Sequence, residues 1–139
     1  MAEPMTMRVE LQPRHVKQVA RVTYESVRAL RASFGDVNTL PLWNLADSGQ
    51  QHNAEVIVRR VATGKVQDGP AIHAQWRDEM VKDGVRYDPA DPVRREICEF
   101  SELSPEAQCR YHFMYAVAAS LLAQIALIVV AERLRQQKT

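Results

Sequence analysis

The feature that most constrains this chain is a run of 19 residues without a charge, Phe113–Ala131. It lies behind a strong helix start. Ser104 can cap, Pro105 suits the first helical position because its missing N–H costs nothing there, and Glu106 puts an acid in the first turn. The helix opened by these signals is expected to run from about 105 to 136. A helix that is apolar on all sides has to be covered by something. The run only grazes the length needed to span a bilayer, and it holds Ser120, Gln124 and many alanines, which anchor weakly in hydrocarbon. Its flanks are mixed, with Arg110 before and Glu132, Arg133 and Arg135 after. A buried or oligomer-forming helix is therefore expected in place of a membrane span. Its expected partner is a second copy of the chain, meeting it along Phe113–Ala131.

Three further helices precede it. Pro13 opens the first, over 13–33, where Val16, Val19, Ala20, Thr23, Val27 and Leu30 recur at three- and four-residue steps and form one apolar face. Residues 1–12 read as a lead-in. Asp47 or Ser48 caps a second helix reaching Ala62, with Ala54, Ile57, Val58 and Val61 facing inward and Gly64 as its stop. The third starts at Pro70, capped by Asp68 or the Gly69 backbone, and ends at Gly84. Its stripe is Ile72, His73, Trp76 and Met80. Beyond it, Pro89 and Pro92 push Asp88 and Asp91 away from helix. That leaves a loop of about twenty residues, 84–103, a length usually tied to function. A short β-hairpin fits inside it, around Val85–Tyr87. The expected fold is mainly α: a compact bundle of about four helices in a single domain, 13–139.

Bulk properties narrow the class. The 139 residues suffice for one domain with a real core. A formal net charge of +1 gives no global reason to expect nucleic acid or a membrane surface as partner. Two cysteines, Cys98 and Cys109, do not make a disulfide framework, and two reduced thiols of a cytoplasmic protein are expected. The first ten residues lack an apolar h-region, so no secretory signal is expected.

No catalytic constellation stands out. His15, His52, His73 and His112 sit in no HxH, HExxH or CxxC arrangement, and Cys109 with His112 offers at most two ligands. No metal and no cofactor are expected. There is no GxSxG and no glycine-rich phosphate loop. Asp88 and Asp91 have no partner base, and turn formation beside proline is their plain role. What remains is ligand binding. Trp76 can offer an indole face to a planar ring, and Tyr87 adds a second ring with a polar handle. Arg77, Arg86, Arg94 and Arg95 lie close in sequence and can meet phosphates through paired hydrogen bonds. The plainer alternative makes Trp76 core and the arginines a solvated loop, and chemistry alone favours it.

A resemblance shifts that balance. The order His73-x-x-Trp76, Gly84-x-x-Tyr87, Asp91, Arg94-Arg95 and Phe100-Ser101-Glu102-Leu103-Ser104-x-Glu106 resembles the ryanodine receptor repeat domain. That family's usual pattern is H-x-x-W, G-W-x-Y-G, D-x-x-K/R, H-P and an aromatic followed by x-x-L-P. Its small bacterial and phage members are matched further by Val19-Ala20, Glu25-x-x-Arg28, Trp43 and Gln50 or Gln51. The resemblance covers roughly residues 13–125. Val85 replaces the usual second Trp and Asp88 the usual Gly, the H-P pair is absent, and Ser104 stands in place of the proline. The resemblance implies a mostly helical module with a short β element. It also implies a pocket in which Trp76 stacks a base; taken with the grouping of rings and arginines, Tyr87 and His73 are expected to shape that pocket and Arg28, Arg77 and Arg94 to favour phosphate, with Trp43 as a further ligand-binding candidate.

The function expected is a non-enzymatic, cytoplasmic module of phage or bacterial origin. It would bind a nucleotide or nucleotide-derived signal and sequester it. A self-associating structural protein built on Phe113–Ala131 is the alternative.

Overall fold

The computed structural model describes residues 11–36 and 40–138. Four α-helices are present among them: α1 (Pro13–Ser33), α2 (Ser48–Ala62), α3 (Gly69–Lys82) and α4 (Pro105–Gln137). Single 3-10 turns at Trp43–Leu45, Arg94–Glu96 and Phe100–Glu102 punctuate the connections. The mainly helical class is as expected, and each helix starts and stops within about two residues of its sequence signals. Most of the lead-in, residues 1–10, lies outside the described residues.

The helix ends follow from local chemistry. Asp47 Oδ1 accepts from the Gln50 N–H at 2.7 Å while Gln50 Oε1 accepts from the Asp47 N–H at 3.2 Å, a reciprocal capping box. Asp68 Oδ1 accepts from the Ala71 N–H at 2.8 Å, and Ser104 Oγ from the Ala107 N–H at 3.2 Å. Gly64 and Gly84 take φ of 75° and 82° just past α2 and α3, a left-handed turn that costs glycine no steric penalty.

The helix α4 is the spine. One cluster joins Val16, Val19 and Ala20 of α1 and Val58 of α2 to Ala118 of α4. A second joins Val66, Ile72 of α3 and Leu103 to Ala107 and Tyr111 of α4. Leu121, Leu122 and Ile125 of α4 pack against the first cluster, which α1 enters through Val16, Val19 and Ala20 in its first half. At its other end α1 brings Arg31 beside Arg110, so α1 and α4 run antiparallel. Where α3 starts, Gly69 lies against the α4 backbone at Tyr111 and His112.

The segment 40–46 is clasped to α1. Glu25 accepts from the Trp43 N–H at 2.7 Å and from Arg28 Nε at 2.9 Å. The backbone N–H first, and then Arg28, hold its carboxyl below the usual carboxylate range against the opposing pull of burial. Tyr24 donates to the Pro41 carbonyl at 2.6 Å and meets Trp43 edge-on at 5.3 Å.

The β-hairpin expected around Val85–Tyr87 is not found, and no strand occurs among the described residues. Side-chain turns hold the loop instead. Asp91 Oδ1 accepts from the Val93 and Arg94 N–H groups, both at 2.8 Å, and Asp88 Oδ1 accepts from Ala90 at 2.9 Å. Those two N–H bonds hold the Asp91 carboxyl below its usual range. Arg94 Nε donates to the Arg86 carbonyl at 2.8 Å. Pro89 and Pro92 lack the N–H a ladder needs, while carboxylates two or three residues away offer the backbone a local partner.

Candidate ligand-binding site

Two large clefts open on the bundle. The first, of about 570 Å³, lies between α2, α3 and α4. This volume falls within the range of small-molecule pockets. The half-buried Trp76 forms part of its wall. The cleft is lined by Arg31, Arg60 and Arg110, by the carboxylates of Glu79, Asp83 and Glu96, and by the amides of Gln50, Asn53 and Gln75. Arg60 pairs with Glu79, and Arg110 pairs with Glu96. Formal charge in the lining therefore balances. A ring stacked on Trp76 would have three carboxamides within the same cleft to read its polar edge, as Asn and Gln do when they pair with bases.

The second cleft, of about 590 Å³, carries Tyr87, which is 55% exposed, with Phe34, Arg95, Glu102 and Glu106. Arg31, Glu96 and Arg110 line both clefts. The Glu96 and Arg110 side chains are only 12% and 11% exposed, and Arg31 is 22% exposed. Burial lowers the pKa of the Arg31 guanidinium, and the neighbouring Arg110 lowers it further. Arg110 also lies 5.2 Å from the centre of the Tyr111 ring. The Tyr111 hydroxyl reaches Glu96 Oε1 at a long 3.4 Å, and burial first, then the Glu96 charge, push its pKa up.

The residues singled out from sequence do not share one place. Trp76 lines the first cleft and Tyr87 the second. His73 is 0% exposed and sits in the core. Its Nε2 lies 2.7 Å from the Glu96 carbonyl, which can only accept, so that nitrogen carries the proton. The rings of Tyr111, Phe100 and Trp76 surround it at 5.1, 5.9 and 6.0 Å. Arg77 turns to Glu99, 3.3 Å away, and to the Cys98 carbonyl. Arg94 is taken up by the loop, and Arg28 and Trp43 by the clasp on α1. Trp43 borders a smaller pocket of about 260 Å³ with Lys17, Gln51 and His52.

The guanidiniums that do line the Trp76 cleft, Arg31, Arg60 and Arg110, come from three different helices. The one sequence signal for Arg31 is its position in the last turn of α1, where the helix dipole favours a cation. Among the described residues no group of three or more His, Cys, Asp or Glu could hold a metal ion. Cys98 and Cys109 are not bridged, and burial raises the Cys98 thiol pKa.

No protein-family model, curated protein or solved structure matches this chain.

Proposed function

We propose that this chain is a non-enzymatic binding module for a nucleotide or nucleotide-derived ligand, acting in the cytoplasm and holding the ligand without turning it over. The observation that carries this reading is the cleft of about 570 Å³ lined by Trp76 together with three guanidiniums, three carboxylates and three carboxamides. Aromatic face, cation and amide edge are the three contacts a nucleotide uses: stacking, phosphate and base polar groups. The motif order resembling the ryanodine receptor repeat domain supports the same reading, because Trp76 is the position that would stack the base.

A ligand that binds only the folded state raises the melting temperature with concentration. Wild-type protein is expected to melt higher with at least one member of a panel of mono-, di- and cyclic nucleotides. Trp76→Ala, folded but lacking the indole, is expected to lose about tenfold or more in affinity for the same compound. The recovered ligand should be chemically unchanged. Equal shifts in wild type and Trp76→Ala, no shift with any nucleotide, or hydrolysis of the ligand would each overturn the reading.

A second reading, self-association through α4, is favoured by one specific observation. By length and composition α4 is long and apolar enough to cross a membrane, with a mean hydropathy of 2.3 over 18 residues, yet only 6% of that stretch is buried within the chain. At about 1.5 Å per residue the helix is about 50 Å long. Leu127, Ile128 and Leu134 are 64%, 56% and 55% exposed. A face of this kind needs cover, and a second α4 offers the same face in return. Light scattering at micromolar concentration is expected to give at least a dimer, which Leu127→Lys with Ile128→Lys reduces to a monomer. A wild-type monomer without detergent would remove this reading, as would insertion into vesicles of neutral lipid.

A further inference from the structure

One face of α4 is exposed along nearly its whole length. Cys109, Ala116, Ser120, Ala123, Leu127 and Leu134 follow one another at helical spacing, and all six are exposed. Ile125 is the last residue of α4 that packs against either core cluster. The helix continues to Gln137, so about three turns lie beyond the core.

Size and charge both change from one end of this face to the other. Ser120 and Ala123 at its middle are small. Ala116 and Cys109, also small, lie on the N-terminal side, while the large Leu127 and Leu134 lie on the C-terminal side. Exposed Glu102 and Glu106 stand at the N-terminal end, and among the described residues neither forms an ion pair. Both line the Tyr87 cleft. The C-terminal end carries exposed Arg133, Arg135 and Lys138 against Glu132 alone. A bilayer would need the whole uncharged run, yet Ala118 is fully buried in the first cluster and Leu121, Leu122 and Ile125 pack against it. Inserting that run would tear α4 from α1.

Resting on the self-association reading above, we infer that two copies pair antiparallel along this face of α4, and that each lends its C-terminal cations to the other's Tyr87 cleft. Ser120 meets Ala123 of the second copy at the two-fold axis, where small side chains let the helices approach. Leu127 then covers Ala116 of the second copy, and Leu134 covers its Cys109, so that each large residue falls on a small one. The same register brings Arg135 and Lys138 to Glu106 and Glu102 of the second copy. Those two carboxylates, which no cation of their own chain pairs with, thereby gain counter-ions. Parallel pairing would set Leu127 on Leu127 and bring the cationic ends together, and it would align two helix dipoles side by side.

Disulfide trapping on the full chain tests the orientation. In a Cys98→Ser background, Leu134→Cys is expected to give a covalent dimer on mild oxidation, because Cys109 of one copy meets residue 134 of the other. Adding Cys109→Ser should abolish the link. With the native cysteines kept, Glu102→Lys with Glu106→Lys should weaken dimerisation about tenfold by sedimentation, and adding Arg135→Glu with Lys138→Glu should restore it. These four charged positions are exposed, and an unchanged helical circular dichroism spectrum checks that each variant folds. Suppose the wild type dimerises but gives no cross-link, a cross-link that survives Cys109→Ser, or a charge reversal that is not restored. Each result overturns the antiparallel pairing and leaves self-association standing. A wild-type monomer, or insertion into vesicles of neutral lipid, overturns both.

Discussion

Replacing His73 with alanine is expected to cost about 3–4 kcal/mol, combining the cavity left by a buried ring with the loss of its hydrogen bond. Among the described residues His73 is the largest fully buried side chain, and it joins α3 to the Glu96 turn and to the Tyr111 ring of α4. A loss of this size lowers the melting temperature by roughly 10 °C in a domain of this length. His73→Phe separates the two contributions. It keeps a ring among Tyr111, Phe100 and Trp76 but leaves the Glu96 carbonyl without its donor, and should cost about 1–3 kcal/mol. Urea melts of both variants, with the slope unchanged, would measure this. A cost below about 1 kcal/mol for His73→Ala would show that the ring does not organise this end of the core.

Gly69→Ala is expected to be comparably severe, for a different reason. A Cβ at residue 69 would lie 2.7 Å from the His112 nitrogen and the Tyr111 carbonyl carbon, and 2.8 Å from the Tyr111 oxygen. These are backbone atoms of α4, which cannot rotate aside as the end of a side chain can. Alanine would otherwise gain up to about 1 kcal/mol over glycine in a helix. Moving α3 away from α4 to make room costs at least about 1–3 kcal/mol and opens the cluster of Val66, Ile72, Leu103, Ala107 and Tyr111. Gly49→Ala supplies the control. There the added methyl meets only the Asp47 carboxylate, at 3.3 Å, and the stability change should stay within about 0.5 kcal/mol. If Gly69→Ala proved as mild as Gly49→Ala, the close crossing of α3 and α4 would be refuted. Trp76 of the same helix lines the first cleft, so Gly69→Ala should also weaken the nucleotide binding proposed above.

The helices were legible because their signals are local. Asp47, Asp68 and Ser104 each cap a backbone N–H three residues away, and Gly64 and Gly84 each turn the chain within one residue. Such interactions depend on neighbours along the chain, which a sequence displays in order. The hairpin was misjudged because a strand pair depends on a partner ladder. Two prolines and two aspartates left the loop better served by side-chain turns.

The site was legible only in part. Trp76, singled out through the His73-x-x-Trp76 resemblance, is the one residue of the expected site that lines the first cleft. Arg77 and Arg94 were chosen for lying near it in sequence, yet carboxylates and carbonyls of the same loop take them up. Arg31, Arg60 and Arg110 lie 45, 16 and 34 positions from Trp76, simple differences of residue number, and no local pattern joins them.

From its residue order alone, this chain specifies four helices, their ends and the apolar faces that must meet, because capping, glycine turns and apolar periodicity act over a few residues. The antiparallel pairing of α1 with α4 and the crossing at Gly69 were decided only in three dimensions, as were the burial of His73 and the meeting of Arg31, Glu96 and Arg110 between two clefts. Each depends on which faces bury against one another, and burial sets the desolvation and pairing that give these side chains their chemistry.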